Sequence, residues 1–226
     1  MTEHAEAADA DCLSDDQADA LLGGAPWQRF LALGDSLVAG VGDPSPGYRS
    51  VPWVARVAEA LRRQSPALEY RNLAVRQVRT EQVRADQLGP ALDFGADLVT
   101  LVCGGNDLLT RRFDPDALEA EARGIVEPLV GQGAVVVLFT LMDATQAFPE
   151  LAPLRPRLES LNAVMTRIAA DHRGLLVDMW RHPAVRLPAL YSADRTHPSM
   201  RGHAVLAAAT IRRLGDRIAA PDPGRP

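Results

Sequence analysis

A chain of 226 residues, 47% hydrophobic and 23% charged, is long enough for one α/β domain with a full core and short for two. Its net charge of −5 gives no electrostatic support to a nucleic-acid role. No apolar run approaches the ~20 residues of a membrane span, and two cysteines, Cys12 and Cys103, do not make a disulfide framework.

In chain order, residues 1–12 are Ala-rich, acidic and aperiodic, so they are expected to be disordered. They carry no apolar h-region, which makes the cytoplasm the expected location. Ser14 is placed to cap a short helix over 15–22, with acids in its first turn and Gly23-Gly24 beyond its end. Residues 30–33 then form an apolar run without polar alternation, halted by Gly34-Asp35-Ser36-Leu37. Such a run reads as a strand buried on both faces, the kind found in parallel sheets. Val54, Val57, Ala58 and Leu61 recur at three and four and predict a helix over 51–63. A second strand is expected at 68–72 and a second helix at 80–88.

Further on, residues 98–103 read as a third buried strand that stops at Gly104-Gly105-Asn106-Asp107. A helix over 115–130 starts with Pro115 in its first turn. The valine-rich run 134–140 is the fourth strand, 154–172 a helix, 175–178 a short fifth strand and 199–218 the last helix. Strand and helix thus alternate five times, which implies a parallel sheet with helices on both faces. The expected organisation is an acidic extension at 1–24, partly disordered with a short helix, a domain at 25–219, and a frayed tail at 220–226.

Three strands end in polar clusters, at Asp35-Ser36, at Asn72 and at Asn106-Asp107. In open parallel sheets, ligands bind beyond the carboxyl ends of the strands. Serine is a poor nucleophile until a base takes its proton, and the usual base is a histidine oriented by a carboxylate. Of the five histidines, His4 lies in the tail. His172 is expected to interact with carbonyls at a helix end, His182 has no obvious partner, and His203 is expected to be structural inside the last helix. His197 differs, because the turn-rich segment Asp194-Arg195-Thr196-His197-Pro198 lets one loop present both carboxylate and imidazole. Asn106, on a Gly-Gly turn, and the Ser36 backbone N–H are candidate donors to an oxyanion. The competing reading of Ser36 is a helix N-cap. Asp35 and Asp107 are expected to brace their turns, and Asp143 and Asp178 are read as structural rather than as metal ligands. Trp53, Leu109, Met142, Phe148 and Tyr191 are candidates for the wall of an acyl pocket.

Taken together, Gly34-Asp35-Ser36-Leu37, Asn72, Gly104-x-Asn106-Asp107 and Asp194-x-x-His197 resemble, in order and spacing, the four blocks of the GDSL or SGNH hydrolases. The resemblance spans residues 34–197. It implies a flavodoxin-like three-layer α/β/α sandwich with a five-stranded parallel sheet, so that 25–219 would be an SGNH hydrolase domain. It further implies Ser36 as nucleophile, His197 as general base and Asp194 as its orienting residue. The oxyanion hole would comprise Asn106 and the Ser36 N–H. A third donor in the family is a glycine about five residues after the start of the second block; here that position is Gln77. Any residue but proline supplies the N–H, but a positive φ there would strain glutamine. The expected activity is hydrolysis of a small-molecule acyl ester through an acyl-enzyme, with no metal or organic cofactor. An acyltransferase using the same residues and a non-catalytic binding domain on the same fold are the alternatives.

Overall fold

Residues 5–220 are described here in a computed structural model. Five strands, β1 (Arg29–Gly34), β2 (Glu69–Asn72), β3 (Leu98–Val102), β4 (Val135–Thr140) and β5 (Leu175–Asp178), form one sheet in the order β2-β1-β3-β4-β5. All four pairings are parallel, with Phe30 opposite both Tyr70 and Leu98, Leu98 opposite Val135, and Val137 opposite Leu175. This is the flavodoxin-like strand order, in which chain direction across the sheet reverses between β1 and β3.

The continuous apolar runs are explained by burial on two sides. Along β1, Phe30 and Ala32 enter one core while Leu31 and Leu33 enter the other. Strand β4 divides likewise, with Val137 and Phe139 on the first side and Val136 and Leu138 on the second. The first core is covered by α2 (Asp15–Leu22), α3 (Trp53–Gln64) and α8 (Met200–Ala219); the second by α4 (Thr80–Phe94), α6 (Pro115–Gly131) and α7 (Arg155–Asp171). The result is a three-layer α/β/α arrangement. Edge strand β2 is largely exposed, and Tyr70 stacks on Phe30 with ring centroids 5.2 Å apart.

Several expectations are corrected. The segment up to residue 12 is not disordered from residue 5 onward. It contains the short α1 (Ala5–Ala8), and Glu6 pairs with the buried Arg56 of α3. Asp9 accepts from Tyr48 Oη at 2.6 Å and Arg201 Nε at 2.8 Å. Composition alone missed this because its acids meet arginines distant in sequence. Residues 1–4, with His4, and 221–226 lie outside the described residues. Ser14 does cap α2, in a reciprocal box with Gln17. Helix α4 runs past Gly89-Pro90 to Phe94, because Ala91 and Phe94 bury their side chains and Gly95 supplies the left-handed stop at φ +63°. Cys12 and Cys103 are both free and belong to opposite cores. Among the described residues, no helix is long and apolar enough to cross a membrane.

Candidate active site

The reversal point of the sheet concentrates polar groups between the ends of β1 and β3. Strand β1 ends in glycine for a steric reason. At Gly34, φ is +143°, and a Cβ would stand 2.0 Å from Val102 O. Buried Gln87 of α4 clamps this peptide, accepting from Gly34 N–H at 2.9 Å and donating to Gly34 C=O at 2.8 Å. Asp35 braces the next turn by accepting from Leu37 N–H at 3.1 Å. Burial pushes the Asp35 carboxyl up to about 6, against the Leu37 hydrogen bond and the His197 charge, with Asp107 adding to the rise.

No regular helix begins at Ser36; the chain makes turns closed by Ala39 N–H to Asp35 C=O and Val41 N–H to Ser36 C=O. The capping reading of Ser36 therefore fails. Its Oγ lies 2.7 Å from His197 Nε2 instead.

The loop carrying His197 is a miniature hairpin. Tyr191 and Pro198 form an antiparallel bridge, and Ser192 N–H donates to His197 C=O at 2.8 Å. Asp194 Oδ1 accepts from the backbone N–H groups of Thr196 and His197, each at 2.9 Å, while Oδ2 stands 2.6 Å from His197 Nδ1. Burial works to raise the Asp194 carboxyl, but the hydrogen bonds from His197 and Thr196 outweigh it and hold it below its ordinary value. An ionised Asp194 requires the proton on Nδ1, which leaves the Nε2 lone pair facing Ser36 Oγ. Within the hairpin, Arg195 has φ +61°, pairs with Glu150 and lies over the Phe148 ring.

Beyond β3, Gly104 adopts φ +97°, and a Cβ there would lie 2.5 Å from Leu161 Cδ1. The single turn α5 (Gly105–Leu108) follows. Asn106 Nδ2 donates to Val78 C=O at 2.8 Å, and Asp107 Oδ2 accepts from Thr80 N–H and Oγ1–H, both at 3.0 Å. These bonds strap the 73–79 segment to α5 and carry Gln77 to the site. Gln77 has φ +64°, a left-handed conformation normally left to glycine. Among the described residues, neither the Ser36 nor the Gln77 N–H has an acceptor. Ser36, Gln77, Asn106 and His197 all border one cleft of about 340 Å³.

The other candidates separate cleanly. Leu109, Met142 and Tyr191 border the cleft; Trp53 and Phe148 do not. Trp53 is fully buried and donates through Nε1 to Leu37 C=O at 3.0 Å, whereas Phe148 packs edge-on against Tyr191. Asn72 shapes a loop, donating to Val38 C=O and accepting from Ala74 N–H. His172 meets Arg123 and Glu127 rather than helix-end carbonyls, since those side chains reach it from α6. His182 Nδ1 accepts from Ala184 N–H. His203 is buried between Trp53 N–H and Val41 C=O. Asp143 is held by Arg155, Thr145 and Gln146, and Asp178 by Thr140.

Two residues that sequence reasoning passed over join the pieces. One is Gln87. The other is Asp43, which donates through its N–H to Ser192 Oγ at 2.8 Å and accepts at Oδ2 from Ala193 N–H at 2.8 Å. Neither carries a local signal, because their partners lie 53 and about 150 residues away.

A model of the GDSL-like lipase/acylhydrolase family matches residues 32–205. The chain is 27% identical over 212 residues to an acetylxylan esterase of Geobacillus stearothermophilus, covering 83% of this chain and 94% of that protein. The solved structure of Axe2, an acetylxylan esterase from the same organism, has a TM-score of 0.68 at 24% identity, over 86% of this chain and 96% of the other. LAE5, an alpha/beta hydrolase from the metagenome of Lake Arreo, Spain, has a TM-score of 0.69 at 23% identity, over 85% and 96%. These two structural likenesses speak for the fold; the family match and the 27% identical relative go further. The chain belongs to the GDSL-like lipase/acylhydrolase family and is a carboxylic ester hydrolase.

Proposed function

We propose that the protein cleaves a small-molecule acyl ester through an acyl-enzyme formed on Ser36. The observation that carries this reading is the continuous chain from Ser36 Oγ to His197 Nε2 at 2.7 Å and from His197 Nδ1 to Asp194 Oδ2 at 2.6 Å. As Ser36 Oγ attacks the acyl carbon, its proton passes to His197 Nε2, and Asp194 steadies the resulting imidazolium. The tetrahedral oxyanion is met by the N–H groups of Ser36 and Gln77 and by the second Nδ2 hydrogen of Asn106, whose first is held by Val78. Collapse breaks the acyl C–O bond, and the imidazolium protonates the departing alkoxide. Water then adds to the acyl carbon with His197 as base, and Ser36 Oγ leaves with the returned proton.

An acyltransferase would run the first half identically and admit another acceptor in place of water. A purely binding domain is disfavoured, because it has no use for a serine hydroxyl held on an oriented imidazole. Ser36→Ala should lower turnover of p-nitrophenyl butyrate by at least ~10³-fold while leaving the far-ultraviolet circular dichroism unchanged. A fluorophosphonate probe should label the wild type and not the variant. Undiminished turnover or labelling of the variant would remove Ser36 from the mechanism. Product partitioning with added alcohols separates hydrolysis from transfer. The substrate in the relative's name, acetylated xylan, is a sugar ester, and its hydroxyls would need polar partners along the cleft.

A further inference from the structure

We infer that the cleft is built for an unbranched acyl chain of about six to ten carbons rather than for an acetyl group or a sugar. This rests on the serine-esterase reading for its chemistry but on the walls of the cleft for its content. The wall that a chain can touch is apolar, formed by the half-buried Leu37, Leu141, Met142 and Leu151 and the exposed Leu109, and the side chains beneath it are almost wholly removed from water. Val102, Phe139 and Met179 come from the sheet edge, Leu108 and Leu158 from α5 and α7, and Leu206 from α8. The half-buried Leu154 joins them as the turn after β4 leads into α7. A methylene displaces about as much volume as one water of the liquid, ~30 Å³. A cleft of about 340 Å³ thus has room for on the order of ten heavy atoms, the reacting ester group included, and is far larger than one methyl group requires.

The polar side chains on this wall are already engaged. Thr140 Oγ1 donates to Asp178 and accepts from Trp180 N–H, and Thr145 Oγ1 donates to Asp143 and accepts from Arg155. A sugar hydroxyl placed here would leave water without a replacement partner. An alkyl chain loses nothing of that kind. The wall is also held in shape, since Arg157 Nη1 donates to Leu108 C=O at 2.6 Å and to Thr110 C=O at 2.7 Å. Of the remaining polar lining besides the reacting groups, the buried Asp35 accepts from Leu37 N–H, Arg195 pairs with Glu150, Thr196 Oγ1 donates to Asp194 C=O, and Gln77 and Arg76 are exposed.

The test is a series of p-nitrophenyl esters from acetate to decanoate, each below its micellar concentration. The expected kcat/KM rises about fourfold per added methylene, with an optimum between hexanoate and decanoate. A maximum at acetate, or equal values for acetate and octanoate, overturns the inference. A second arm is independent of chemistry. Ser36→Ala protein should bind octanoate at least about tenfold more tightly than acetate by calorimetry, with a negative heat-capacity change; equal affinities overturn the inference. Tight octanoate binding with no ester cleaved by the wild type would instead overturn the esterase proposal and leave the inference standing. Leu154→Gln places an amide on the wall at a half-buried position. It should lower the octanoate-to-acetate ratio about tenfold, and an unchanged ratio removes this wall from chain binding.

Discussion

Gln77 occupies a backbone conformation that an L-residue adopts at a cost of about 1–2 kcal/mol, at φ +64°. What the proposed mechanism takes from it is the main-chain N–H, which any residue but proline retains. Gln77→Gly should therefore remove strain from the folded state and also loosen the unfolded chain by roughly 0.4–1 kcal/mol. The net expected change is a gain of up to about 1 kcal/mol in the urea unfolding free energy, with kcat/KM within about threefold of wild type. A tenfold loss of kcat at unchanged stability would assign the glutamine side chain a part in the reaction. The position was legible in the sequence as the site of an expected glycine. The sign of its φ was not, because a single side chain does not report the dihedral it sits in.

At the scale of elements, the site depends on two loops being held in register across the top of the sheet. The turn after β1 brings Ser36, and the hairpin before α8 brings Asp194 and His197. Asp43 is the bolt between them, through Ser192 Oγ, Ala193 N–H and, at its own carbonyl, Met200 N–H at 2.8 Å. Asp43→Ala deletes the bond to Ala193 and frees the hairpin to drift, and a drift of about 1 Å can cost ~10²-fold in rate. Its kcat should fall by roughly tenfold to a hundredfold, with the KM for p-nitrophenyl butyrate little changed. Asp43→Asn retains an acceptor oxygen and should recover most of the loss. Equal losses in both variants would mean that the negative charge, and not the tie, is what matters. Elements of this kind mark the limit of reading a sequence alone. The strands, buried on both faces, and the motifs at their ends are local patterns and were visible as such. Asp43–Ser192, Gln87–Gly34 and Glu6–Arg56 are pairings that exist only after the sheet has ordered the chain. For the same reason an acidic N-terminal stretch expected to be disordered is, from residue 5, part of the α2–α3–α8 side.

For the molecule as a whole, two buried groups near the site pull its acid stability in opposite directions. His203 is fully buried, its Nδ1 accepting from Trp53 N–H at 3.3 Å and its Nε2–H facing Val41 C=O at 3.2 Å. Protonation would turn Nδ1–H against a second donor, and burial pushes the imidazole down to about 4, with the charges of Arg56 and His197 adding to the fall and the Val41 carbonyl opposing it. In the unfolded chain histidine titrates near ~6.5. Between those values the unfolded state binds the extra proton, so His203 removes stability as pH falls from about 6.5 to 4. Asp35 does the reverse. Its carboxyl titrates near 6 when folded and near ~3.9 when unfolded, so the folded state takes up the proton first and gains stability over nearly the same interval. Each effect amounts to a few kcal/mol at ~1.4 kcal/mol per unit, and the two largely offset. His203→Gln preserves an acceptor for Trp53 and a donor for Val41 but cannot titrate. Relative to wild type it should become progressively more stable from pH 6.5 to pH 4, by about 2–3 kcal/mol in urea unfolding. Asp35→Asn should shift the other way. A difference between His203→Gln and wild type that is independent of pH would mean that the imidazole takes up its proton without leaving its place between α3 and α8.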